Sequence, residues 1–213
     1  MRYIIIGDIH GCYYTLISLI NKIKINKNSD KLIFLGDYID RGKNSFQVVE
    51  YLIKLQKEMT KERCICLKGN HEDMFLTDEV LWKYNGGNKT RSSYYANNHI
   101  QYLYNSHKSW MSKLPHYYET DNFICVHAGL PKAKLEDNTK DDMLWNRTHI
   151  TNRINRDKQV IFGHTPSTKL EYKTINNDIC IDTACVFGYQ LTALIIDENN
   201  QYSYIYEDKN IKD

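Results

Sequence analysis

Several features are missing from this 213-residue chain. It has no run of about 18 apolar residues, the length a membrane-crossing helix needs, so no span is expected. Met1-Arg2-Tyr3-Ile4 enters a strand-like run directly and carries no signal-peptide pattern. The six cysteines have no Cys-x-x-Cys spacing. Cys64, Cys66, Cys125 and Cys180 lie inside apolar runs, where Cys packs as a small hydrophobe. A reduced, cytoplasmic protein is the simplest reading. Net charge is only +2, with Lys and Arg scattered, which argues against nucleic acid as a main partner. Repeats, low-complexity tracts and domain linkers are absent, so residues 1–213 read as one domain.

What is present is an ordinary globular composition, 42% apolar and 25% charged. Residues 2–6, 32–35 and 63–67 read as strands. Between them, 12–25 and 45–59 carry apolar residues at helical spacing. This β-α-β-α-β order predicts parallel strands with covering helices. Residues 73–83 and 97–114 read as helices of a cap, separated by the turn signal Asn85-Gly86-Gly87-Asn88. Tyr117-Tyr118-Glu119 and Phe123 to Val126 suggest a hairpin around Asp121-Asn122, and 132–155 read as polar loop. Beyond residue 160 the chain is strand-rich. The expected fold is α/β: two sheets face to face with helices outside.

The chemistry gathers where strand-like runs end. Asp8 and His10 follow Ile4-Ile5-Ile6-Gly7, and Asp37, Asp40 and Arg41 follow Ile33-Phe34-Leu35-Gly36. Asn70 and His71 follow Cys64 to Gly69, His127 follows Phe123 to Val126, and His164 follows Val160 to Gly163. An isolated Asp or His after a strand is usually a turn residue. Five such segments in one chain suggest one site built from many strand ends. Asp8 and His10, spaced i, i+2, can hold one cation from one side of an extended exit. Asp37 offers two oxygens that could bridge two cations, and Asn70, His127 and His164 are neutral donors for the second. Mixed oxygen and imidazole donors suit Mn²⁺, Fe or Zn²⁺. Two such metals about 4 Å apart would clamp a bridging water and lower its pKa for attack on a phosphoryl group. His71 can protonate the leaving oxygen, and Asp40 can hydrogen-bond that ring and raise its pKa. Arg41 offers a planar fork for phosphate oxygens, and Arg147 is a candidate second fork. His99, His107, His116 and His149 lie away from the strand ends and read as surface residues, and Glu58 and Glu72 read as helix-surface charges.

The set resembles the phosphoprotein phosphatase branch of the calcineurin-like metallophosphoesterases. The matching stretches are Gly7-Asp8-Ile9-His10-Gly11, Gly36-Asp37-Tyr38-Ile39-Asp40-Arg41-Gly42, Gly69-Asn70-His71-Glu72, Val126-His127-Ala128-Gly129 and Gly163-His164-Thr165-Pro166. Asn85-Gly86-Gly87 and Trp145-Asn146-Arg147 look most like the small bacterial and bacteriophage lambda-type serine/threonine phosphatases. The resemblance implies a four-layer α/β/β/α sandwich with a small helical insertion around 73–114. It implies a first metal on Asp8, His10 and Asp37, and a second on Asp37, Asn70, His127 and His164. It also implies His71 as general acid oriented by Asp40, phosphate binding by Arg41 and Arg147, and Mn²⁺ as the usual metal. Ala184 and Tyr189 depart from the glycines that relatives often carry there. Cys185, between them, reads as a packing residue.

The expected activity is therefore a metal-dependent phosphatase acting on phosphoserine or phosphothreonine in a phosphoprotein or phosphopeptide. The alternative is a bis(5'-nucleosyl)-tetraphosphatase (a diadenosine tetraphosphate hydrolase) of the same superfamily. Asp40 and the short chain favour the first over the symmetrical dinucleotide hydrolases. A non-catalytic binding module is disfavoured because every ligand position is filled. Oligomeric state is not legible.

Overall fold

Strand Tyr3–Ile6 (β1) sends Ile4 and Ile6 to one side and Ile5 to the other. Strand Phe123–Val126 does the same, with Phe123 and Cys125 opposite Ile124 and Val126. Side chains alternate along a strand, so a strand apolar on both faces must be covered on both. That requirement produces the layers of this protein.

In a computed structural model, residues 1–213 are all described. After β1 come α1 (Tyr13–Ile23), β2 (Lys31–Phe34), α2 (Ser45–Met59) and β3 (Cys64–Cys66). The insertion follows as α3 (Asn70–Thr77), α4 (Glu79–Trp82), α5 (Asn88–Ala96), α6 (Ile100–Tyr102) and α7 (Lys108–Ser112). Then come β4 (Tyr117–Glu119), β5 (Phe123–Val126), α8 (Lys140–Trp145), β6 (Gln159–Phe162), β7 (Tyr172–Lys173), β8 (Ile179–Cys180), β9 (Gln190–Ile196) and β10 (Tyr202–Asp208).

One sheet has the order β10-β9-β1-β2-β3 and the other β4-β5-β6-β8-β7. In the first, β1, β2 and β3 are parallel; in the second, β5, β6 and β8 are. Ile5, Ile33, Leu35, Ile161, Ile181 and Leu194 fill the space between the sheets. Outside the first sheet, α1, α2 and the insertion pack on Ile4, Ile6, Phe34 and Ala193. Outside the second, Leu130 and Met143 cover Val126, Val160 and Phe162. The four-layer sandwich expected from the sequence is present. So are the parallel β1-β2-β3 run, the β4-β5 hairpin and a helix spanning Ser45–Met59.

Two stretches refine the expectation. Residues 97–114 hold the expected helix as one run, residues 100–112, which widens to a π turn at Leu103–His107 between α6 and α7. There His107 is drawn inward, its Nδ1 2.7 Å from the Tyr94 hydroxyl and its Nε2 2.6 Å from Glu50. Residues 132–155 are not all loop. Thr139 Oγ1 accepts from the Asp142 amide at 3.1 Å and the Asp142 carboxylate accepts from the Thr139 amide at 2.9 Å. That reciprocal cap starts α8.

Candidate active site

The parallel strands of both sheets end on one edge, and their exits carry the site. Asp8 and His10 leave β1; Asp37, Asp40 and Arg41 leave β2; Asn70 and His71 open α3 after β3. His127 leaves β5 and His164 leaves β6. His10, Asp37, Asp40, Arg41 and His164 all have φ between 45° and 73°. This left-handed backbone is costly for side chains with a Cβ and accumulates at functional sites.

Asp37 is the centre. One of its oxygens lies 3.3 Å from His10 Nε2 and the other 3.5 Å from His127 Nε2. The Asn70 amide oxygen lies 2.9 Å from His127 Nε2 and 3.0 Å from His164 Nδ1. The Asp8 carboxylate accepts from the His164 amide at 3.0 Å. His10 Nδ1 donates to the Ile39 carbonyl at 2.8 Å and His127 Nδ1 to the Leu35 carbonyl at 3.0 Å. Those bonds fix each tautomer and leave each Nε2 lone pair for the centre. Ligand-capable atoms of His10, Asp37 and His71 lie within 4.8 Å of one another, as do those of Asp37, His127 and His164.

The electrostatics fit cations. Burial raises the Asp8 pKa well above the carboxylate range, and Asp182 and Asp37 add to it. Burial pushes Asp182 up to about 6. Asp37 is buried too, but His127, His71 and His10 outweigh that and hold it well below the usual range. Burial and His127 hold His164 down to about 2. The Nε2 atoms of His71 and His164 are buried without a hydrogen-bond partner. Crowded carboxylates, neutral imidazoles and orphaned nitrogens form a donor set that divalent cations would satisfy.

The His71–Asp40 pair is held from the insertion. His71 Nδ1 donates to Asp40 Oδ2 at 2.7 Å. The other Asp40 oxygen accepts from Trp82 Nε1 at 2.8 Å and Thr90 Oγ1 at 2.6 Å. Burial lowers the His71 pKa, outweighing Asp37 and the rise expected from Asp40. The Asn85-Gly86-Gly87 turn also has its reason here. Gly86 has φ +105° and its Cα packs against the Arg41 backbone, where a Cβ would lie 2.9 Å from Arg41 N. A Cβ on Gly87 would overlap the Trp82 indole at 2.5 Å.

Arg41 Nη1 lies 2.6 Å from His10 Nε2, and its guanidinium stacks 5.6 Å over the Phe187 ring. Arg147 Nη2 donates to the His164 carbonyl at 3.1 Å, which brings it to the same edge. All ten residues singled out in the sequence therefore gather at one end of the sandwich. Glu72 is a correction: it is fully buried, not a surface charge. Its carboxylate accepts from the amides of Tyr38 (2.8 Å), Asp37 (2.9 Å), Gly69 (3.0 Å) and Ile39 (3.3 Å). Burial and Asp37 push its pKa up to about 8, against the amides. Its place in the first turn of a helix after a glycine was the available signal. His107 and His149 are corrections too, both buried. The His149 ring lies edge-on to Phe162, with centroids 4.6 Å apart. Asp182, Trp82 and Thr90 were not singled out. Asp182 follows a strand-like run as Asp8 and Asp37 do, whereas Trp82 and Thr90 carry no local signal. Cys185 is buried as a packing residue; the Cys12 thiol beside it and burial push its pKa far up.

Among proteins of known activity, an asymmetrical bis(5'-nucleosyl)-tetraphosphatase of Oceanobacillus iheyensis is 29% identical over 91% of this chain and 88% of its own length. Serine/threonine-protein phosphatase 1 of Salmonella typhimurium is 28% identical over 88% of each chain. Among solved structures, a Saccharomyces cerevisiae protein serine/threonine phosphatase superposes with a TM-score of 0.77 at 14% identity, over 97% of this chain and 79% of that one. At that identity the likeness is one of fold. Residues 1–197 match the model of the calcineurin-like phosphoesterases, and the chain belongs to that family of metal-dependent hydrolases.

Proposed function

We propose that this protein hydrolyses phosphate esters by direct attack of water on phosphorus, first among them phosphoserine and phosphothreonine in proteins. One observation carries the reading: Asp37 lies between His10 and His127 while the His71–Asp40 pair stands beside it. Asp8, His10 and Asp37 would hold one divalent cation; Asp37, Asn70, His127 and His164 would hold a second, with Mn²⁺ the favoured metal. Cations there would supply Lewis acidity toward a water and a phosphoryl oxygen. Arg41 and Arg147 grip the remaining phosphoryl oxygens. His71, with Nδ1–H held by Asp40, gives a proton from Nε2 to the leaving oxygen. The reaction is carried by one domain, residues 1–213. Six buried free cysteines support a reducing, cytoplasmic setting.

A second reading is hydrolysis of dinucleoside tetraphosphates. The Oceanobacillus relative favours it, since it aligns over 88% of its own length, so the chain-length argument loses its force against the asymmetrical type. The test is metal-stripped, Mn²⁺-reloaded protein assayed on a phosphothreonine peptide and on diadenosine tetraphosphate. Peptide turnover higher by about tenfold in kcat/KM, roughly 1.4 kcal/mol of transition-state preference, is expected for the first reading. The reverse ranking would replace it with the second.

A further inference from the structure

A pocket of about 500 Å³ opens beside the site, lined by Arg41, Lys43, Lys89 and Lys209 together with the backbone of Gly42 and Gly188. Arg41 belongs to both: its guanidinium touches His10, and the residue lines the pocket. Lys43 and Lys89 are exposed, and neither is paired with a carboxylate. Lys209 is tethered, its ammonium donating to the Val186 carbonyl at 2.8 Å. Asp213 is the pocket's acidic residue, and its charge is already engaged. Its carboxylate accepts from the Tyr14 and Thr15 amides, the Thr15 hydroxyl and the Asn44 side chain at 2.7–3.1 Å. On the rim, Phe187 and Tyr189 flank Gly188 and are 58% and 51% exposed.

Unpaired cations crowded into a concave wall repel one another, and an anion relieves that repulsion. Arg41 leads from the Asp37 centre directly into this wall, so the anion it fits is joined to the reacting phosphorus. Exposed aromatic rings at the rim offer faces on which a base can stack. We infer that the Arg41–Lys43–Lys89–Lys209 pocket is a second phosphate subsite, seating the neighbouring phosphates of a dinucleoside polyphosphate whose reacting phosphoryl lies at the Asp37 centre. The inference rests on the phosphoesterase reading above and sharpens its second substrate class.

The test uses Mn²⁺-loaded wild type and the double variant Lys43→Gln/Lys89→Gln, whose changes fall on exposed side chains. Diadenosine tetraphosphate, p-nitrophenyl phosphate and a doubly phosphorylated threonine peptide are compared at low salt. The expected result is a fall of about tenfold in kcat/KM on the dinucleotide, shrinking as added salt screens the charges. Turnover of p-nitrophenyl phosphate, which has one phosphate, stays within about twofold of wild type. Inorganic tripolyphosphate loses its advantage over orthophosphate as an inhibitor in the same variant, and Lys43→Arg/Lys89→Arg restores both effects. An equal fall on all substrates, no fall on any, or a fall on the peptide alone overturns the inference. Wild type inert toward p-nitrophenyl phosphate would instead sink the phosphoesterase reading, and the subsite with it.

Discussion

His71 is built from two sides, and the sides differ in kind. The strand exits supply it with backbone: its amide donates to Asp37 Oδ1 at 3.0 Å, and it opens α3 directly after β3. Beyond α3, the insertion reaches His71 only through its partner. It holds Asp40 through Trp82 and Thr90 and shores up Arg41 through Gly86. The exits are short, and each pairs a turn with a reactive side chain. The helices beyond α3 have no such unit, because Trp82 and Thr90 act only once α4 and α5 close over the β2 exit at Asp40. Chemistry placed by local turns leaves a signature in the chain; chemistry placed by packing does not.

The largest effect should fall on the strand-exit side. Asp37→Asn is expected to lower kcat by roughly a thousandfold or more and to reduce bound metal, read by elemental analysis of the purified protein. A variant that keeps both metal and rate would break the comparison at its root. His71→Asn should cost about 10²- to 10⁴-fold in kcat on a phosphopeptide. The loss should be smaller on p-nitrophenyl phosphate, whose leaving group needs no proton.

The legible part of the molecule follows the same division. The ten site residues, the β1-β2-β3 run and α2 could be read because apolar periodicity and strand-end motifs are local. Glu72 was misread because a helical Glu looks solvated unless the loop it caps is known. His107 and His149 were misread for a related reason: each meets partners outside its own element, Tyr94 and Glu50 for His107 and Phe162 for His149.

His149 tests that misreading directly. Burial and Arg156 hold its pKa down to about 4. The folded state therefore binds fewer protons than the unfolded state between pH ~6.5 and ~4. Its contribution is fully present above pH ~6.5 and is lost as pH falls toward 4, by about 3 kcal/mol. Urea unfolding at pH 7.5 and 5 should show a flatter pH dependence in His149→Phe than in wild type. Equal slopes would put the ring in contact with water.

A smaller effect separates scaffold from function in the insertion. Thr90→Val removes one donor to Asp40 Oδ1 and the nearer of two acceptors for the Asp40 amide, leaving Ser45 Oγ at 3.3 Å. A drop of about three- to tenfold in kcat is expected, with a shifted pH profile and little change in KM. Lower stability with an unchanged profile would make the insertion only a prop, and the contrast with the strand exits would fail. The smallest effect concerns the departure at Ala184, which has φ +59°. Ala184→Gly should raise the unfolding free energy by about 0.5–1 kcal/mol, read by urea denaturation.

The four amides gathered on Glu72 have a consequence for motion. They come from two separate exits, Asp37 to Ile39 after β2 and Gly69 after β3. Tied to one carboxylate, these exits cannot breathe independently. If α3 frays, the loop bearing Asp37 is released in the same event, and both proposed cation positions dissolve together. Hydrogen exchange at these four amides should therefore proceed at one shared rate, as a single opening unit drawn from opposite sides of a strand pair.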